Sequence, residues 1–169
     1  MVNFYKDKVI IVTGASSGIG LASARKFASM GANVVLAARS LDKLEKIVSD
    51  INQKFAAHSS QLIAHCIKTD VTKEEDCKNL IDQTVRHFGK IDVLVNNAGI
   101  SMRAVFKDLD LTVMKSLMDT NFWGTVYCTK YALPYLLKSK GSVVGVISTA
   151  GYVGLPARTG YSASKFAVR

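Results

Sequence analysis

Tyr161-Ser162-Ala163-Ser164-Lys165 places a phenol and an ammonium four residues apart. On a helix, positions i and i+4 share a face. A lysine cation beside a tyrosine favours the phenolate and lowers a pKa that starts at about 10, which makes the pair a proton donor near neutral pH. Helices also carry such pairs on solvated faces by chance, so the reading rests on what precedes it. Ser148 closes the apolar run Ser142-Val-Val-Gly-Val-Ile-Ser148 upstream of the tyrosine. A nucleophile elbow would need G-x-S-x-G and a later histidine; Val146-Ile-Ser148-Thr-Ala150 lacks the glycines and no histidine follows His87. Ser148 is therefore read as a hydrogen-bonding group for a substrate oxygen, not as an attacking one.

Three further segments offer binding groups. Thr13-Gly14-Ala15-Ser16-Ser17-Gly18-Ile19-Gly20 follows an apolar run, and its glycines let backbone approach a ligand while a helix N-terminus offers unpaired N–H groups to a phosphate. Its spacing, G-x-x-x-G-x-G, departs from the usual dinucleotide fingerprint. Ala37-Ala38-Arg39-Ser40 lies where a ribose-binding acid is expected about 20 residues beyond the glycines. No acid is there; Arg39 and Ser40 instead suit a 2′-phosphate, which favours NADP(H) over NAD(H). Asp70-Val71 supplies a carboxylate for an adenine amino group, with loop polarity as the plainer alternative. Asn96-Asn97-Ala98-Gly99 supplies two amides able to tie loops together, and small residues that leave room for a flat ring.

These groups need a scaffold, and the hydrophobic pattern predicts one. Lys8 to Thr13, Asn33 to Ala38, Leu62 to Lys68, Ile91 to Val95 and Ser142 to Ser148 read as buried strands. Helices are predicted from Ile19 to Met30, from an N-cap at Ser40 to Ala57, from a Thr72-Lys73-Glu74-Glu75 capping box to Gly89, from Thr112 to about Lys138 with a bend at Pro134, and from near Thr159. Strands alternating with helices predict an α/β domain over 1–169 with a doubly wound parallel sheet. In such sheets ligands bind beyond the carboxyl ends of the strands, which is where the candidate residues fall.

Composition narrows the classes. The chain has 169 residues, 49% hydrophobic and 21% charged, which excludes disordered and fibrous classes. No apolar run reaches a membrane-span length and the first residues lack a secretory core, so a cytoplasmic address is expected. Cys66, Cys77 and Cys128 have no C-x-x-C spacing, and His58, His65 and His87 are scattered; no disulfide framework and no metal are expected. The net charge of +9 comes from dispersed lysines, so nucleic acid is not an expected partner.

Taken in order, T-G-x-x-x-G-I-G at Thr13 to Gly20, N-N-A-G at Asn96 to Gly99, Asn121, Ser148 and Y-x-x-x-K at Tyr161 to Lys165 resemble the short-chain dehydrogenase/reductase family over essentially the whole chain. The resemblance implies a Rossmann-like sheet of order 3-2-1-4-5 and hydride exchange between NADP(H) and a carbonyl or alcohol. Tyr161 would be the general acid/base, Lys165 its partner and a ribose ligand, Ser148 the group that orients the substrate, and Asn121 the keeper of a helix distortion and a relay water. Gly14, Ser16, Ser17, Gly18, Ile19 and Gly20 would hold the pyrophosphate side, Arg39 and Ser40 the 2′-phosphate, Asp70 and Val71 the adenine, and Asn97, Ala98 and Gly99 the ribose and nicotinamide. Asn97-Ala-Gly-Ile-Ser101, Ser148-Thr-Ala-Gly-Tyr152 and Gly154-Leu-Pro156 look similar to the 7B-like branch.

Family members usually continue for roughly another 80 residues, with two more strands and a substrate lid. The sequence therefore reads as a truncated member whose isolated chain would bind cofactor poorly and turn over little, its fifth strand left as an apolar edge. A complete protein would be a homodimer or homotetramer. A non-catalytic nucleotide-binding or interaction module of the same fold is the alternative.

Overall fold

The computed structural model describes residues 4–55 and 63–169. Five parallel strands form one sheet: β1 (Val9–Thr13), β2 (Asn33–Ala38), β3 (Ala64–Lys68), β4 (Val93–Asn96) and β5 (Ser142–Gly145), in the order β3-β2-β1-β4-β5. The expected order and α/β class are therefore observed. Register runs Val9↔Asn33 to Thr13↔Ala37 on one side of β1 and Ile10↔Val93 to Val12↔Val95 on the other. All carboxyl ends consequently open on one rim.

The helices are α1 (Gly18–Ser29), α2 (Leu41–Phe55), α3 (Glu74–Phe88), α4 (Leu111–Leu117), α5 (Gly124–Ser139) and α6 (Thr159–Val168). Side chains of a strand alternate between faces. Ile10 and Val12 accordingly pack with Ala24, Ala28, Leu44, Ile47 and Ile51 of α1 and α2, whereas Ile11 packs with Leu80 and Ile81 of α3 and Cys128, Ala132 and Leu136 of α5. Both faces of β1 are covered, which explains why its run is apolar throughout. Among the described residues β5 pairs only with β4, and Val143 and Val144 are each 44% exposed, so the expected apolar edge is present.

Several boundaries differ from the sequence reading. β1, β3 and β4 begin later than expected, at Val9, Ala64 and Val93, β4 runs on to Asn96, β5 ends early at Gly145, and the limits placed at Ala57 and Leu62 lie outside the described residues. Thr72 is not an N-cap: its N–H and hydroxyl both donate to Asp70 Oδ1, at 3.1 and 2.8 Å, and α3 begins two residues later behind Lys73. That local turn captures the threonine before it can cap. The long helix starts at Leu111, capped by Asp110, which accepts from Thr112 N–H at 2.8 Å. Its break is a π-helical segment, Met118–Trp123, and α5 then runs through Pro134 without interruption. Among the described residues no helix is long and apolar enough to cross a membrane.

Candidate active site at the carboxyl rim of the sheet

Beyond the strand ends lies an open cleft of ≈ 880 Å³, bounded by the turns after β1, β2, β3 and β4. Ligand pockets span about 300–1,000 Å³. Gly14, Ser16, Ser17, Gly18 and Ile19 line it from the first turn, Arg39 and Ser40 from the second, Asp70 and Val71 from the third, and Asn97, Ala98 and Gly99 from the fourth. Gly20, behind this surface, is buried. Thr69, Thr72, Ser116, Asp119 and Thr120 also line the cleft and were missed in the sequence.

The first turn is built around left-handed backbone that favours glycine. Gly14 and Gly18 have φ of +66° and +54°. A Cβ on Gly14 would lie 2.9 Å from Ala98 Cα, and one on Gly20 would lie 2.6 Å from the Gly14 carbonyl and press on the Asn97 amide. Gly18 has nothing within 4 Å of such an atom and faces open space. The first turn of α1 holds no acid, and Ser17 makes no side-chain cap bond. Its leading N–H groups and positive dipole end are thus open to an anion.

Thr13 and Asn97 lock this turn to β4. The buried Thr13 hydroxyl accepts from Asn97 N–H and Ala98 N–H, both at 3.0 Å, while Asn97 Nδ2 donates to the carbonyls of Thr13 at 2.8 Å and Gly14 at 3.4 Å. The Asn97 side chain is therefore a brace between loops, and its ligand contact would come from backbone. Asn96 Nδ2 donates to Thr129 at 2.9 Å. Asp70 Oδ1 is engaged by Thr72, which leaves the rest of that carboxylate and Val71, whose side chain packs against Gly124, to line the cleft.

The second half of the site is assembled across long sequence distances. Asn121, inside the π-helical segment and 1% exposed, accepts from Ile100 N–H at 2.8 Å and donates to the Ile100 carbonyl at 3.0 Å and to Ser164 Oγ at 2.8 Å. Ser164 in turn donates to the Tyr161 carbonyl at 2.8 Å. The π-turn shifts the local backbone bonds, and Thr125 donates to the Asn121 carbonyl at 2.9 Å. Ser164 was missed in the sequence; its only signal is a small polar residue between Tyr161 and Lys165.

Lys165 is 6% exposed and donates to the Val146 carbonyl at 2.8 Å. Burial lowers its pKa from the ordinary lysine value. Its ammonium stands 5.9 Å from the Tyr161 ring centroid, so the two side chains do share a face. Ser148 lies on the adjoining turn, where its Oγ accepts from Ala150 N–H at 3.2 Å, and Gly151 lets that turn seat directly on the Lys165 backbone. A Cβ on Gly99 would come 3.1 Å from Asn121 Oδ1 and 3.4 Å from Lys165 Nζ, which places the end of the Asn-Asn-Ala-Gly segment between these two groups. The rim therefore holds a half with open backbone N–H groups and a half with a phenol, a buried ammonium, a serine and an amide.

The family model described as short chain dehydrogenase matches residues 8–169. The chain belongs to the short-chain dehydrogenase family. This short-chain dehydrogenase is 44% identical over 162 residues to 11-beta-hydroxysteroid dehydrogenase-like 2 of Arabidopsis thaliana, covering 95% of the chain and 51% of that relative. It is 40% identical over 166 residues to dehydrogenase/reductase SDR family protein 7-like of Dictyostelium discoideum, covering 97% and 52%. It therefore spans about half the length of the curated relatives it matches. An alcohol dehydrogenase from the archaeon Thermococcus sibiricus, solved in complex with 5-hydroxy-NADP, superposes with a TM-score of 0.91 at 30% identity, covering 96% of this chain and 67% of that one.

Proposed function

We propose that this short-chain dehydrogenase is an oxidoreductase that exchanges a hydride between NADP(H) and a carbonyl or secondary alcohol. The observation that carries this reading is the burial of Lys165 beside Tyr161, at the rim of a cleft whose first turn leaves helix N-terminal N–H groups open. Burying an ammonium is costly, and Val146 offers it only a neutral carbonyl. Such a cost is commonly retained where the group does chemistry.

The residues fit a dinucleotide. The amides near Gly18, with Ser16, Ser17, Ile19 and Gly20 around them, would hold the pyrophosphate; Arg39 and Ser40 at the exposed second turn would take a 2′-phosphate; Asp70 and Val71 would flank adenine. Gly14, Asn97, Ala98 and Gly99 would leave room for ribose and nicotinamide. The bound cofactor supplies the hydride. Tyr161 donates the proton to the carbonyl oxygen in reduction and withdraws it in oxidation. Lys165 holds positive charge near the phenol and meets the ribose, Ser148 orients the substrate oxygen, and Asn121 fixes Ile100 and Ser164 around them. The 5-hydroxy-NADP complex of the archaeal relative supports a nicotinamide cofactor, and the absence of an acid at Arg39-Ser40 favours the phosphorylated form.

NADPH oxidation with a panel of aldehydes and ketones tests this. Replacing Tyr161→Phe is expected to lower turnover by about 10²–10⁴-fold, the range for a general acid, while NADPH binding persists. Undiminished turnover in Tyr161→Phe would reject the assignment.

A further inference from the structure

Arg158 stands where helix stability does not ask for a cation. It is the N-cap of α6, a helix with no acid in its first turn, and positive charge at a helix N-terminus opposes the macrodipole. Its guanidinium is nevertheless fixed. Nη1 donates to Ser101 Oγ at 2.7 Å, and the guanidinium carbon lies 5.7 Å from the Tyr161 ring centroid. A second tie joins the same two loops: Ala104 N–H donates to the Ala157 carbonyl at 2.9 Å, with Ala157 at φ +59°.

The residue is half-buried. The ion pairs formed among the described residues involve Lys8, Arg25, Lys90 and Lys130, not Arg158. A guanidinium has five N–H donors in a rigid fork that matches the two oxygens of a carboxylate. Ser101 takes one of them.

We propose that Arg158 sets substrate class: the compound reduced at Tyr161 is an oxo acid, whose carboxylate binds the guanidinium that Ser101 holds in place. This rests on the carbonyl chemistry proposed for Tyr161. The carboxylate supplies the negative charge missing around Arg158 and sets the carbonyl against the phenol.

The test compares kcat/KM for an aromatic oxo acid and its methyl ester, in wild type, Arg158→Gln, Arg158→Lys and Ser101→Ala. Wild type is expected to prefer the acid by roughly 10–100-fold, the fold-change of one charge-assisted hydrogen bond. The acid-to-ester ratio is expected to fall to about one in Arg158→Gln and to fall partway in the other two. A cation that only packs on the tyrosine ring would lower both substrates together and leave the ratio intact; that result, or a wild type that prefers the ester, overturns the proposal.

Calorimetric titration of cofactor-free protein with phenylacetate, a carboxylate that cannot be reduced, gives a readout apart from turnover. Binding that weakens in Arg158→Gln supports the anion site even if neither carbonyl substrate is turned over, in which case the proposed activity fails alone. Turnover of the ester without Arg158-dependent phenylacetate binding overturns the anion site and leaves the activity standing.

Discussion

The two ends of the parallel sheet handle charge in opposite ways. At the amino end Asp92, whose side chain is 5% exposed, accepts from Val9 N–H at 2.8 Å and meets the ammoniums of Lys8 and Lys90 at 3.1 and 3.0 Å. Its backbone pairs with Val9 and Ser142, and Ser139 Oγ donates to the Ile91 carbonyl at 2.7 Å. At the carboxyl end Lys165 is as deeply buried but meets a neutral carbonyl, and Asn96 Oδ1 is buried with no partner among the described residues. At the amino end Asp92 closes the polar groups around it and thereby joins strands. The carboxyl end leaves charge and backbone donors for something that arrives from outside.

Substitutions on the two rims sharpen this contrast. Lys165→Met is expected to have the largest effect, a loss of carbonyl turnover of about 10²-fold or more, with a melting temperature unchanged or raised. The sign follows from burial: with its pKa lowered, the native lysine binds its proton less readily than the unfolded one, so stability rises with pH through the window between the two values and the cost is present at neutral pH. A large drop in melting temperature would show Lys165 to be structural and break the comparison. Gly20→Ala comes next. Its Cβ presses on the Asn97 amide and on Gly14, so about 1–3 kcal/mol of stability is expected to go, as in other overpacked sites. NADPH affinity should fall with it, as a paired thermal melt and titration would show.

Asp92→Ala probes the other rim. It leaves the Val9 amide unpaired, at an expected cost of about 1–3 kcal/mol, with NADPH affinity unaltered. Burial by itself would raise the Asp92 pKa, but the Val9 amide and the Lys90 and Lys8 ammoniums outweigh it and hold the group below the ordinary carboxylate value. The stability it contributes is therefore complete above the unfolded value of about 3.9 and is lost as pH falls through the lower folded value. Denaturant melts across acid pH should show that limb in wild type and a flatter one in the variant; a changed NADPH affinity would mean that the rims are coupled.

The amino end and the core were the legible part of the sequence. Val9-Ile-Ile-Val is buried on both faces and writes its strand without help from distant residues. The carboxyl end was legible as residue types and not as bonds. Asn121 and a helix distortion there were expected from the family resemblance, but its bonds to Ile100 and Ser164 join distant segments that helical periodicity does not encode. Thr72 failed as a cap because Asp70 took its hydroxyl, and Thr13 looked like the end of a strand, not the brace for Asn97 and Ala98. Arg158 sits just ahead of the tyrosine, yet its link to Ser101 exists only in the folded chain.

Calorimetric titration of the protein with NADPH and with NADH, in wild type and Arg39→Gln, separates a carboxyl rim built for the phosphorylated cofactor from one that is not. One saturable event at the carboxyl rim is expected, about tenfold or more tighter for NADPH as one charge-assisted contact to the 2′-phosphate would give, with that preference lost in Arg39→Gln. Equal or tighter binding of NADH, or no saturable binding of either nucleotide, would contradict it.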